Sequence, residues 1–134
     1  MTSRKLLQIA LIAFGATFCL VYPLAIFWPS GWAWHPGPPA DSEYFMMIVG
    51  VYATLGVFLI LAARDPFANR SLILFTIWSS LVHAGIMAVQ ALGNPAQHGH
   101  LVGDVPALVL VAAVLGGLLA AERGPVAAER APAA

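Results

Sequence analysis

Apolar residues along this chain gather into four long runs. The first covers residues 6–28, with Gln8 and Thr17 its most polar side chains, and the second covers 44–63, uncharged throughout. The third covers 71–92, uncharged apart from whatever His83 carries, and the fourth runs from about 105 to 121, opening at Asp104-Val105-Pro106. Each is near the roughly 20 residues that a helix needs to cross a hydrocarbon core about 30 Å thick. No stretch between them is long enough for a second domain. The pattern predicts an all-α fold, an integral membrane four-helix bundle with helices at about 6–28, 44–63, 71–92 and 105–121, and the lipid bilayer as its surroundings. Residues 122–134 read as a disordered cytoplasmic tail.

The ends of the runs carry helix signals. Asp41 or Ser42 can cap the second helix, and Asn69 or Ser71 the third after the tight turn at Asp65-Pro66. Asp104 suits the start of the fourth helix as a cap, because Pro106 gives up no needed N–H in the first turn. Pro23 removes a backbone donor and frees the carbonyl of Cys19, which predicts a kink near Tyr22. Residues 31–40 hold too much Pro and Gly for a helix. Their tryptophans, with Trp28 and Tyr44, suggest a segment lying on the membrane surface as a lid. Ala112, Gly116 and Ala120, and likewise Ala113, Gly117 and Ala121, recur every fourth position. Such small residues let helix backbones approach, inside the bundle or across a homodimer contact.

Composition sharpens this picture. The 134 residues are 60% hydrophobic and only 9% charged, against nearer a quarter charged in an ordinary soluble domain. The formal net charge is zero, so no basic footprint for nucleic acid exists. Cys19 is the single cysteine, which excludes an internal disulfide, a Cys-x-x-Cys redox pair and a thiolate zinc cage. Arg4-Lys5 before an apolar run also opens a signal peptide, but the apolar core there is about 7–15 residues and this run continues to Trp28. The first helix therefore reads as uncleaved. All six basic residues fall on one side of a four-span plan: Arg4 and Lys5, Arg64 and Arg70, Arg123 and Arg130. Basic flanks stay cytoplasmic, so both termini are expected inside, in a bacterial inner membrane.

Two features bear on chemistry. His83 is the one ionisable side chain well within a span, about 13 Å below the outer end of its helix at 1.5 Å per residue. Thr76, Ser79, Ser80, His83, Met87 and Gln90 follow helical spacings and share one broad face. That face either binds something or only hydrogen-bonds the bundle together. A haem on His83 would need its second axial ligand from another subunit. The second feature is His98-Gly99-His100 with Asp104 four residues on, joined on the outer side by His35. In an extended segment a His-x-His pair points both rings one way, and imidazole with carboxylate suits a divalent metal, Zn or Cu. His83, Gln90, His98, His100 and Asp104 are expected to line one outward-opening pocket, with Ser79, Ser80 and Met87 beside it.

Other four-helix membrane families fit poorly. The first run lacks the embedded Glu of small multidrug-resistance transporters, and one cysteine cannot serve a thiol-oxidising bundle. The size, the four-span plan, Trp-Ser-Ser-Leu-Val-His-Ala-Gly-Ile-Met at 78–87 and His-Leu-Val-Gly-Asp-Val-Pro at 100–106 resemble the BphX-like and DoxX-like small bacterial membrane proteins. That resemblance implies architecture and a bacterial inner membrane, with no catalytic residue to carry over. The leading expectation is a small membrane accessory protein, oligomeric, that binds a membrane-protein partner or an apolar small molecule in its bundle. A membrane enzyme or redox component using the outer His/Asp cluster is the alternative, and a small-solute transporter the third.

Overall fold

The structure is a computed structural model and describes residues 2–122. Of the tail expected at 122–134, Glu122 ends the last helix as its C-cap and residues 123–134 lie outside the described residues. Six α-helices follow in chain order: α1 Ser3–Cys19, α2 Val21–Phe27, α3 Pro29–Trp32, α4 Glu43–Ala62, α5 Arg70–Gly93 and α6 Asp104–Ala121. Short 3₁₀ segments, Pro39–Asp41 and Pro95–Leu101, precede α4 and α6, and the described residues contain no strand. α4, α5 and the run Pro95–Ala121 are each long and apolar enough to cross a membrane, and α1 with α2 would make a fourth span if counted as one. Large apolar side chains such as Phe75, Trp78 and Val89 stand exposed on the outer faces.

The first apolar run is broken rather than gently kinked. α1 and α2 are bent by 59° at Leu20. Pro23 supplies no N–H to the Cys19 carbonyl and its ring crowds that oxygen, so the helix ends one turn earlier. The Leu20 N–H bonds back to Thr17 O at 3.0 Å instead, a tightened last turn.

Sequence neighbours are not always the packed pairs. α4 lies along α1 and α5 along α6, α1 joins the two pairs through α6, and α4 scarcely touches α5. The α1–α4 crossing is close because Gly15 and Gly56 face each other. A Cβ on Gly15 would stand 2.7 Å from Gly56 O, and one on Gly56 would run into Gly15 O. The small stripes of α6 do not make such a contact. Ala112 is buried, but a Cβ on Gly116 or Gly117 would meet nothing, and Ala113 and Gly117 line an open groove beside α1.

At the end carrying the described basic residues, Gln8 Nε2 donates to Ala63 O at 2.9 Å, satisfying a carbonyl left over where α4 ends. The Arg4 guanidinium sits 5.5 Å from the Phe67 ring centroid. Asp65 Oδ1 accepts from the N–H groups of Phe67 and Ala68, so the turn folds on its own side chain. Asn69 stands before α5 without capping it; its amide donates to Asp65 O instead. At the opposite end Ser42 Oγ caps α4, accepting from Phe45 N at 3.1 Å.

The linking segment 28–42 packs on the end of the bundle that carries the Pro95–Leu101 segment. α3 rests on the Pro95–Leu101 segment so closely that a Cβ on Gly99 would strike Ser30 O and one on Gly103 would strike Gly31 O. Glycine is required at both positions for that seat.

Candidate functional site

The helix arrangement leaves a cavity of about 600 Å³ in the half of the bundle away from Arg4 and Arg64. α4 stands off from α5, so the space between the two helix pairs is not filled. Its walls are mainly apolar and aromatic, with Phe14, Phe18, Trp32, Trp34, Phe45 and Tyr52 among them. Tyr44, Ile48 and Ile86 line it and also keep exposed faces, so it opens sideways on the apolar flank of the molecule.

Few polar groups interrupt these walls. Tyr52 Oη and His83 Nδ1 are hydrogen-bonded at 2.6 Å, joining α4 to α5 across the gap where the two helices otherwise stand apart. The bond engages one ring nitrogen of His83, which also lines the cavity. Phe18 packs edge-on against the Tyr52 ring, centroids 5.0 Å apart, and holds the phenol in place.

The second polar group is Asp104, at the first turn of α6. It does not cap that helix: Gly103 occupies the cap position and no side chain bonds there. Its Oδ2 instead accepts from Trp34 Nε1 and from His100 Nδ1, each at 3.0 Å. The Trp34 and His100 rings are stacked, centroids 3.8 Å apart, so one flat pair of donors converges on one oxygen. His100 is buried at 1% exposure and Asp104 at 6%, while Asp104 Oδ1 is buried with no hydrogen-bond partner.

The expected site residues divide cleanly. His83, Met87, Gln90 and Asp104 line the cavity. Ser79 and Ser80 do not, and Ser79 is satisfied within its own helix by Thr76 O at 3.3 Å. Thr76 likewise bonds Leu72 O at 2.9 Å, so much of the polar stripe on α5 serves its own backbone.

The expected metal cluster is not assembled. His98, Gly99 and His100 lie in a 3₁₀ segment, begun by Pro95 and capped by Asn94 Oδ1 on Ala96 N. At three residues per turn, side chains two apart diverge, and the extended geometry that would align two rings is lost. His98 points outward and is exposed, whereas His100 is buried against Trp34. His35 bonds Pro36 O through Nδ1 at 2.9 Å, and its Nε2 is buried without a partner. Among the described residues no three His, Cys, Asp or Glu side chains converge as metal ligands.

Two residues of the site carried no signal that stood out. Tyr52 sits in a run that reads as uniformly apolar, though a phenol in mid-span needs a partner as His83 does. Trp34 reads as a boundary anchor, and its N–H turns inward onto Asp104.

A family model matches residues 1–131: a family of unknown function, DUF6632. The chain belongs to that family. No curated protein and no solved structure matches it.

Proposed function

We propose that this is a four-span protein of the bacterial inner membrane that holds an apolar small molecule in the outer half of its bundle. The observation that carries the reading is the aromatic-lined cavity of about 600 Å³, inside the range of about 300–1,000 Å³ typical of ligand sites, opening sideways where α4 and α5 part. Its few polar groups, the Tyr52–His83 pair and Asp104, are what a binding site uses to orient an otherwise greasy ligand.

The membrane plan supports this reading. Counting the bent pair α1–α2 as one span gives four, and Arg4, Lys5, Arg64 and Arg70 gather at one end, which supports a plan with both termini in the cytoplasm. The cavity then faces the outer leaflet. The exposed groove holding Ala113 and Gly117 is where a second copy or a membrane-protein partner would pack. The BphX-like and DoxX-like proteins remain a comparison of plan and size, and nothing about a ligand is drawn from them.

Native mass spectrometry of the protein released gently from its own membrane tests the reading. It should carry an additional organic mass, and Ala107→Trp, which fills the cavity from α6, should remove it. A protein that emerges bare would overturn the ligand reading. A reporter fused after Ala134 should read as cytoplasmic; an extracytoplasmic signal would overturn the topology alone.

A further inference from the structure

Resting on that ligand-binding reading, we propose a chemical class for the occupant. It is a flat ring bearing an oxygen, a hydroxyl or a carbonyl. The oxygen hydrogen-bonds to the Tyr52–His83 pair, and the ring lies among the aromatic walls.

With its imidazole neutral, the pair holds two polar hydrogens, one on the phenol and one on the imidazole. One of them occupies the 2.6 Å bond between Tyr52 Oη and His83 Nδ1, so the other is left over. If the phenol donates, Nε2 carries the spare N–H and Oη keeps a lone pair. If Nδ1 donates, the phenol keeps its O–H to give and Nε2 accepts. Either way the pair offers one donor and one acceptor. A carbonyl can take the donor, and a hydroxyl can use both. His83 Nε2 makes no hydrogen bond among the described residues, yet it is not one of their buried unpartnered atoms. An open nitrogen in an apolar wall is a polar group that its surroundings cannot satisfy. Both side chains line the cavity, so an occupant comes within reach of the pair.

Rings supply the rest of the fit. Phe14 and Phe18 of α1, Trp32 of α3 and Phe45 of α4 line the same space, and α5 adds the Met87 thioether. A flat ring gains from edge-on or offset contacts with such walls, and from a nearby sulfur, beyond the burial of its area. An open chain gains burial alone and gives up more rotational freedom on binding. Gln90 also lines the cavity, but it stands two turns along α5, about 10 Å from His83, so a variant of the pair separates the two seats.

The test compares hydroxypyrene with pyrene, which lacks the oxygen, and with hexadecanol, which has as many carbons and no ring. Each is added at one fixed ratio to lipid to the full-length protein in nanodiscs, and occupancy is read by native mass spectrometry. Hydroxypyrene should bind about three- to tenfold tighter than pyrene, the scale of one hydrogen bond between neutral groups. It should exceed hexadecanol by at least about threefold, the scale of one aromatic pair. The variant carrying both Tyr52→Phe and His83→Phe should lose the advantage of hydroxypyrene over pyrene. An advantage that survives there overturns the pair as the seat of the oxygen. Hexadecanol binding as well as hydroxypyrene overturns the ring preference. Equal binding of all three overturns the whole class while leaving a ligand cavity standing, and binding of none overturns both readings. If the double variant does not fold, the order measured on the unaltered protein still decides.

Discussion

The indole of Trp34 lies 3.8 Å from the imidazole of His100, their planes 23° apart, and both rings donate to the same oxygen of Asp104. A residue of the linking segment thereby reaches across 70 positions of chain to the first turn of α6. Trp34→Phe would keep most of the stacking and remove the N–H. It should cost about 1.5–3 kcal/mol, the usual scale for a hydrogen bond to a charged group. Hydrogen exchange over residues 28–42 should quicken in the same variant. Unchanged exchange and an unchanged melting temperature would mean the bond does not hold that segment.

His98 and His100 should part company under mutation. His98 is exposed and makes no side-chain hydrogen bond among the described residues, so His98→Ala should leave melting within about 0.5 kcal/mol of the parent. His100→Ala removes one of the two donors to buried Asp104 and should cost about 1–3 kcal/mol. Added Zn or Cu should not raise the melting temperature of the parent. A rise that disappears in His98→Ala would revive a metal site at the outer turn.

The crossing of α1 and α4 should tolerate almost no added volume. Gly56→Ala drives a methyl into the backbone of Gly15 and the Cys19 Sγ, and should destabilise by about 1–3 kcal/mol. Gly117→Ala, in open space on α6, should be neutral or slightly stabilising. Unfolding of both variants in mixed micelles compares them directly. The reverse ranking would place the critical contact on α6 and point to self-association there.

Tyr52 and His83 should be energetically coupled. A double-mutant cycle with Tyr52→Phe and His83→Phe should give about 0.6 kcal/mol and no more than about 1.7, the average and the maximum found by such cycles for hydrogen bonds between membrane helices. Additive effects would indicate that the 2.6 Å contact contributes nothing beyond packing.

The helices were legible where the apolar runs are uninterrupted. The runs at 44–63, 71–92 and 105–121 correspond to Glu43–Ala62, Arg70–Gly93 and Asp104–Ala121. In the first run Pro23 announced a disturbance, but not its 59° size, which depends on where α2 finds packing. Of the site, His83 and Asp104 showed themselves because ionisable groups beside or within apolar stretches need a reason. Their partners did not. Trp34 lies 70 residues from Asp104 and Tyr52 lies 31 from His83, and no local pattern encodes such pairings. His98 and His100 misled because a two-residue spacing means alignment only in an extended chain, and Pro95 starts a 3₁₀ turn there. Gly15 and Gly56 do not stand out in the sequence because neither belongs to a run of Gly and Ala repeating every fourth position, unlike the stripes of α6.

The gap between α4 and α5 also decides how occupancy must be counted. On the proposed membrane reading, a molecule entering there arrives by two-dimensional diffusion through lipid, already stripped of most of its water. What the site senses is then the mole fraction of that molecule among lipids, not its molarity in the aqueous phase. Diluting it with more bilayer should empty the site even when total concentration in the tube is constant. Two compounds with equal intrinsic fit would differ in apparent affinity by the ratio of their partition coefficients.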